Sequence, residues 1–205
     1  MDKRMGIALA ICAVVTGVSA YANAITVKEI ASHVGENSVI HAEFTQTRKL
    51  VALKRPIVSK GSVAVAGGKG IVWQIEHPYQ ATYIITKNSI AEVDQDGRKK
   101  SGQAEQAQQF KQVTKLISSL LELNEKDLSE NFSMLSSGTL DQWTVNLAAR
   151  DTLAKYIAKI TMRGGSFVDE VTIEETSGDS SQIQFHSARK DEPLSSRELM
   201  LIQGR

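Results

Sequence analysis

What the chain lacks narrows the choices first. Its single cysteine, Cys12, lies inside an apolar run near the start. Once that run is removed no cysteine remains, so disulfides and cysteine-ligated metal are excluded. Aromatic residues make up only 5% of the sequence, so any large apolar surface must be mostly aliphatic. Beyond the first run no apolar stretch approaches the roughly 20 residues of a membrane span. There is no internal repeat, linker or low-complexity segment, and a chain of 205 residues suits one domain with a sizeable core.

The first 24 residues read as a cleavable export signal. Lys3 and Arg4 give a positive start, Gly6 to Val18 is apolar but too short to span, and Ala22-Asn23-Ala24 offers the small residues a signal peptidase reads. Cleavage after Ala24 is expected to leave one domain, residues 25–205, soluble and outside the cytoplasm. A lipid anchor on Cys12 is disfavoured, because Cys12 follows Ile11 within the run rather than a small residue at its end. Loss of Asp2, Lys3 and Arg4 leaves 22 basic against 22 acidic residues, which gives no general attraction to nucleic acid or to an anionic membrane.

Val27, Ile30, Ala31 and Val34 recur at helical spacing after Thr26, which predicts one amphipathic helix over about 26–36. Strand patterns follow at 39–48, 61–66, 70–75, 81–86 and 90–94, with Gly67-Gly68-Lys69 as a hairpin turn. Residues 105–123 read as a second amphipathic helix, and 124–131 as a further helical turn. Strands resume at 132–136, 142–148, 156–163, 167–175 and 181–188, with a last one at 197–202.

Short strands at hairpin spacing predict a large antiparallel sheet, apolar on one face and wet on the other. Val63, Val65, Ile71 and Trp73 share a face; so do Trp143, Val145 and Leu147, and Val171 and Ile173. A sheet of this width curls because its strands twist. The two helical segments are its only available covers. The fold class expected is α+β, mainly β: a curled antiparallel sheet under a helical lid, enclosing a hydrophobic cavity.

Phe44-Thr45-Gln46, then Gly61 opening a strand, Trp73, and Pro78 soon after it follow the signal and the amphipathic helix in that order. In this the chain resembles the periplasmic outer-membrane lipoprotein carrier proteins, the LolA-like family, over nearly all of the mature sequence. The resemblance implies an unclosed β-barrel of about eleven strands, capped by helices, whose cavity carries lipoprotein acyl chains. It implies a periplasmic monomer with acylated lipoprotein or lipid as cargo, an inner-membrane exporter as donor and an outer-membrane acceptor. One departure stands out. The family's Lys-Arg-Pro run shortly before the tryptophan, whose arginine ties down the lid, is replaced by Ala66-Gly67-Gly68, and Lys54-Arg55-Pro56 falls in the preceding connection instead. In this the chain is similar to a divergent branch associated with export of other lipids.

On this reading Phe44, Ile71, Trp73, Val93, Leu116, Leu120, Trp143, Val171 and Ile173 line the groove. Val27, Ile30 and Val34 belong to the movable lid. The alternative for each lining residue is an ordinary filled core. The four histidines (His33, His41, His77 and His186) lack metal-ligand spacing. Gly67-Gly68-Lys69-Gly70 lacks the first glycine of a phosphate loop and leads into a strand. Glu170, Glu174 and Glu175 read as solvated charge, and Arg98-Lys99-Lys100 as a solvated loop tip. No catalytic motif is found, no cofactor is called for, and a non-enzymatic carrier is expected. The runner-up is an exported adaptor or sensor domain that binds a protein partner with the same fold.

Overall fold

The computed structural model describes residues 25–35, 38–86, 89–94, 98, 119 and 125–203. The expected signal and nearly all of the helix expected at 105–123, with Leu116 and Leu120, lie outside those residues.

Helix α1 (Val27–Val34) starts where the sequence says it should. Thr26 Oγ1 accepts from the Glu29 amide at 3.2 Å, while the Glu29 carboxylate accepts from the Thr26 amide at 2.8 Å, a reciprocal capping box. The bonds to Thr26, its backbone amide first, hold the Glu29 carboxyl below the usual carboxylate range. Gly35 ends the helix in a left-handed conformation, and its amide returns to the Ala31 carbonyl at 3.0 Å. The hydroxyl of Ser136 donates to the Ile25 carbonyl, tying the helix entry to the sheet.

Ten strands follow: β1 (Val39–Lys49), β2 (Ile57–Ala66), β3 (Gly70–His77), β4 (Ala81–Thr86), β5 (Ser89–Val93), β6 (Phe132–Thr139), β7 (Gln142–Ala149), β8 (Ile157–Gly164), β9 (Val168–Glu175) and β10 (Ser180–Lys190). Helix α2 (Glu125–Asn131) leads into β6, and α3 (Ser196–Gln203) follows β10. The described strands make one antiparallel sheet in the order β5-β4-β3-β2-β1-β10-β9-β8-β7-β6. Each half is a meander of neighbouring hairpins, and the halves join where β1 pairs with β10. Among the described residues the sheet does not close, since β5 and β6 are both edges.

The described residues form ten strands, in line with the expected unclosed barrel. Two expectations change. Strand β2 begins at Ile57, four residues before the expected start. Residues 197–202, expected as a strand, lie in helix α3, because Ser195 and Glu198 form a second capping box and Leu201 packs with Leu194 and Ile202.

The sheet carries apolar side chains on both faces. On the face beneath α1, Val27, Ile30, Ala31 and Val34 pack with Trp143, Val145, Leu147, Ile160, Met162, Val171 and Ile173. On the other half, Phe44, Val63, Val65, Ile71, Trp73, Ile85 and Ile183 form a cluster whose buried members, among the described residues, all come from strands. Across the sheet, α3 rests Leu201 on Ala64, Val72, Ile84 and Val93. Gly61 lets β3 come close at a β-bulge beside Lys60: a β-carbon there would lie 1.8 Å from the Gln74 carbonyl oxygen. That gives a steric reason for a glycine at the start of this apolar stretch.

Candidate functional site

The two clusters beneath the sheet's inner face meet at Ile40 and Phe185, which pack against both. A small hollow lies at this meeting point. Val34 closes it from α1, Val63 and Val65 from β2, and Phe167, Val168 and Phe185 from the other half. Its local cause is a bulge: His41 pairs with Arg189 and Glu43 with His186, so Ala42 alone faces Ser187 and Ala188. Ser187 takes φ 53°, and alanines on both strands leave space where larger side chains would fill it.

The hollow has a volume of about 30 Å³. Ligand pockets run from about 300 Å³ upward. An aliphatic lining of this kind offers no polar handle; it excludes water and accepts apolar groups. Gln46 donates to Ser181 at 2.8 Å further along β1. Tyr83 lies at the edge of the second cluster; burial first, then Glu92 and Tyr79, pushes its phenol pKa up, so it stays neutral. Among the described residues no group of histidine, cysteine and carboxylate side chains is placed to hold a metal ion.

The structure sorts the expected lining residues into three places. Phe44, Ile71 and Trp73 come together: the Phe44 and Trp73 rings lie 4.1 Å apart at 31°, and Phe185 meets Trp73 edge-on at 6.3 Å. Trp143, Val171 and Ile173 join the cluster under α1 with the lid residues Val27, Ile30 and Val34. Trp143 is held there, its indole N–H donating to the Gly165 carbonyl at 2.8 Å. Gly164 makes room for that ring, since a β-carbon would sit 2.5 Å from Trp143 Cζ2. Val93 is not with them. It pairs across from Thr82, on the face that carries Ile84, and packs against α3 on the far side of the sheet.

Of the expected residues that are described, only Val34 lines the hollow itself. Val63 and Val65 share a face with Ile71 and Trp73 by simple alternation, a signal that marks them as equal candidates. Ala42, Ala188 and Phe185 depend on the bulge, which nothing in the sequence announces.

The sequence matches the family profile described as outer membrane lipoprotein carrier protein LolA over residues 36–198. No curated protein sequence matches it. Among solved structures it is similar to a LolA superfamily protein from Nitrosomonas europaea, with 10% identity over 85% of this chain and 97% of that one, TM-score 0.45. It is also similar to Pseudomonas aeruginosa MucB, solved in complex with MucA, with 9% identity over 84% of this chain and a TM-score of 0.47. The chain spans 59% of that second structure's length. With the ten-stranded unclosed sheet and a family match over most of its length, the chain belongs to the outer membrane lipoprotein carrier protein LolA family.

Proposed function

We propose that this protein shields the acyl chains of a lipoprotein or another lipid while they cross the periplasm. A signal over residues 1–24 exports it, an inner-membrane exporter supplies the cargo and an outer-membrane acceptor takes it. It acts by binding and release, with no bond made or broken.

The observation that carries this reading is the aliphatic seam between α1 and the sheet, with Val34 of the helix as one wall of the hollow. Burying a methylene is worth about 0.8 kcal/mol, so a sixteen-carbon chain gains on the order of 13 kcal/mol on leaving water. Unaided passage through an aqueous compartment is correspondingly slow. A carrier must come near that value without exceeding the bilayer's, or release fails. On this reading the structure is the closed state, its hollow too small for an acyl chain. Opening it means lifting α1, whose apolar face and Ile25–Ser136 tether hold it down, and the displaced contacts offset part of the gain from the cargo. Weak net binding and low chain specificity follow.

Ala188→Leu, which would fill the hollow from a half-buried position, tests the reading. The expected outcome is loss of acyl-cargo transfer with the folded circular dichroism spectrum retained; unchanged transfer would overturn it. Mass spectrometry of protein purified from a periplasmic extract should reveal co-purifying acylated species. Clean protein would turn the reading toward a protein partner.

A further inference from the structure

We propose that the end of the sheet carrying the β1–β2 loop docks on an anionic bilayer surface. From Phe44 to Ile75 the sequence contains no aspartate or glutamate. Five of its cations, Arg48, Lys49, Lys54, Arg55 and Lys60, fall on or beside the loop that joins β1 to β2. Between them are aliphatic side chains that face outward: Val51 is 73% exposed and Leu53 48%, with Ile57 and Val58 also exposed. Scattered surface aliphatics need no explanation; a run of them at one loop, framed by cations, does.

The loop is held in place. The Val51 amide donates to Asp179 Oδ1 at 2.8 Å, and the Leu53 amide to the Leu50 carbonyl at 2.9 Å. Its apolar side chains are therefore presented outward on a fixed turn. Register puts other connections at the same end. Lys60 pairs with His77, just before the β3–β4 turn, and Lys49 with Ser180, just after the β9–β10 turn. Ile157, which follows Tyr156, pairs with Glu175. Tyr79 (55% exposed) and Tyr156 (63%) thus share this end with Val51 and Leu53.

Carboxylates also face this end. Asp179 is engaged by the loop amide, and Glu175 lies 3.8 Å from Arg48. Glu76, Glu125, Glu130, Asp151 and Glu174 are exposed and Asp94 half-buried at this end, where Lys126, Arg150, Lys155 and Lys159 also lie. The positive excess is therefore concentrated on the β1–β2 loop. Aliphatics that enter the acyl boundary, tyrosines at headgroup level and cations beside anionic phosphates are the groups an interface binder needs. The inference concerns this outer rim and does not depend on what the hollow holds.

Flotation with phosphatidylcholine vesicles, with and without about one-third phosphatidylglycerol, tests it. The protein should float with the anionic vesicles and not with the neutral ones. Val51→Asp with Leu53→Asp should weaken binding by at least about tenfold. Lys54→Gln with Arg55→Gln should weaken it by about thirtyfold at low salt and flatten its salt dependence. Leu135→Asp, an exposed leucine on edge strand β6, should leave it unchanged. All these positions are exposed, so melting curves should not move. Failure of the protein to float, or binding indifferent to both loop variants, overturns the proposal. If the loop variants block cargo transfer while the protein does not float, the surface belongs to a protein partner and bilayer docking is rejected.

Discussion

The two tryptophans stand in opposite halves of the sheet, Trp73 on β3 and Trp143 on β7, and their surroundings differ. Trp143 is 1% exposed, hydrogen-bonded to Gly165, fitted over Gly164 and enclosed by α1. Trp73 is stacked on Phe44 and edge-on to Phe185, in a cluster whose buried members, among the described residues, come from strands. One ring is fixed by a polar bond with direction. The other is held by contacts that tolerate sliding and re-packing.

The sharpest way to break this contrast is to truncate each ring. Trp143→Ala should cost about 3–5 kcal/mol of stability, because a buried ring is lost and the Gly165 carbonyl is left unpartnered. Trp73→Ala should cost less and should change the affinity for a hydrophobic fluorophore. Equal melting losses with unaltered fluorophore binding would erase the distinction. A smaller effect is expected at the lid. Thr26→Ala removes one side of the α1 capping box and should cost about 1 kcal/mol, read as faster fluorophore uptake with a modest change in melting temperature.

The smallest effect concerns the helix on the opposite face. Burial pushes the Glu198 carboxyl up, but bonds from Ser195 and His41 outweigh it and hold the pKa below the ordinary 4.5. A depressed folded pKa means that the unfolded chain takes up protons first as the solution is acidified. The contribution of this contact is therefore complete above pH 4.5 and is lost as pH falls through the folded value. In acid melts Glu198→Gln should abolish that part of the decline and leave the α1 side of the molecule unaffected.

Much of this was legible in the sequence. Apolar spacing and Thr26/Glu29 give α1, and alternation between glycine turns gives the hairpins. The order of Phe44, Gly61, Trp73 and Pro78 leads to the family. The reading failed where local pattern is weak or where a face is chosen at a distance. Ile57-Val58-Ser59-Lys60 does not alternate, so the start of β2 was hidden. Ser195-Ser196-Arg197-Glu198 carries a capping-box signature that outweighs strand-like Leu199-Met200-Leu201-Ile202. Ile90 and Val93 are three apart, so in one strand they must face opposite ways, and pairing with β4 decides that Val93 faces α3. The hollow depends on the backbone at Ser187, for which no residue pattern exists.

The seam at the middle of the sheet joins Ile40 to Lys190, nearly the first strand residue to the last. Two meanders can assemble from neighbouring sequence, but their shared border waits for the end of the polypeptide. Contacts so distant in sequence slow folding, because the intervening loop must close before they form. A chain cut short before Ser180 would hold two sheet fragments without a common edge, each with half of an oily surface exposed. Completeness of synthesis is thus checked by the architecture itself: only a finished chain can hide its own grease.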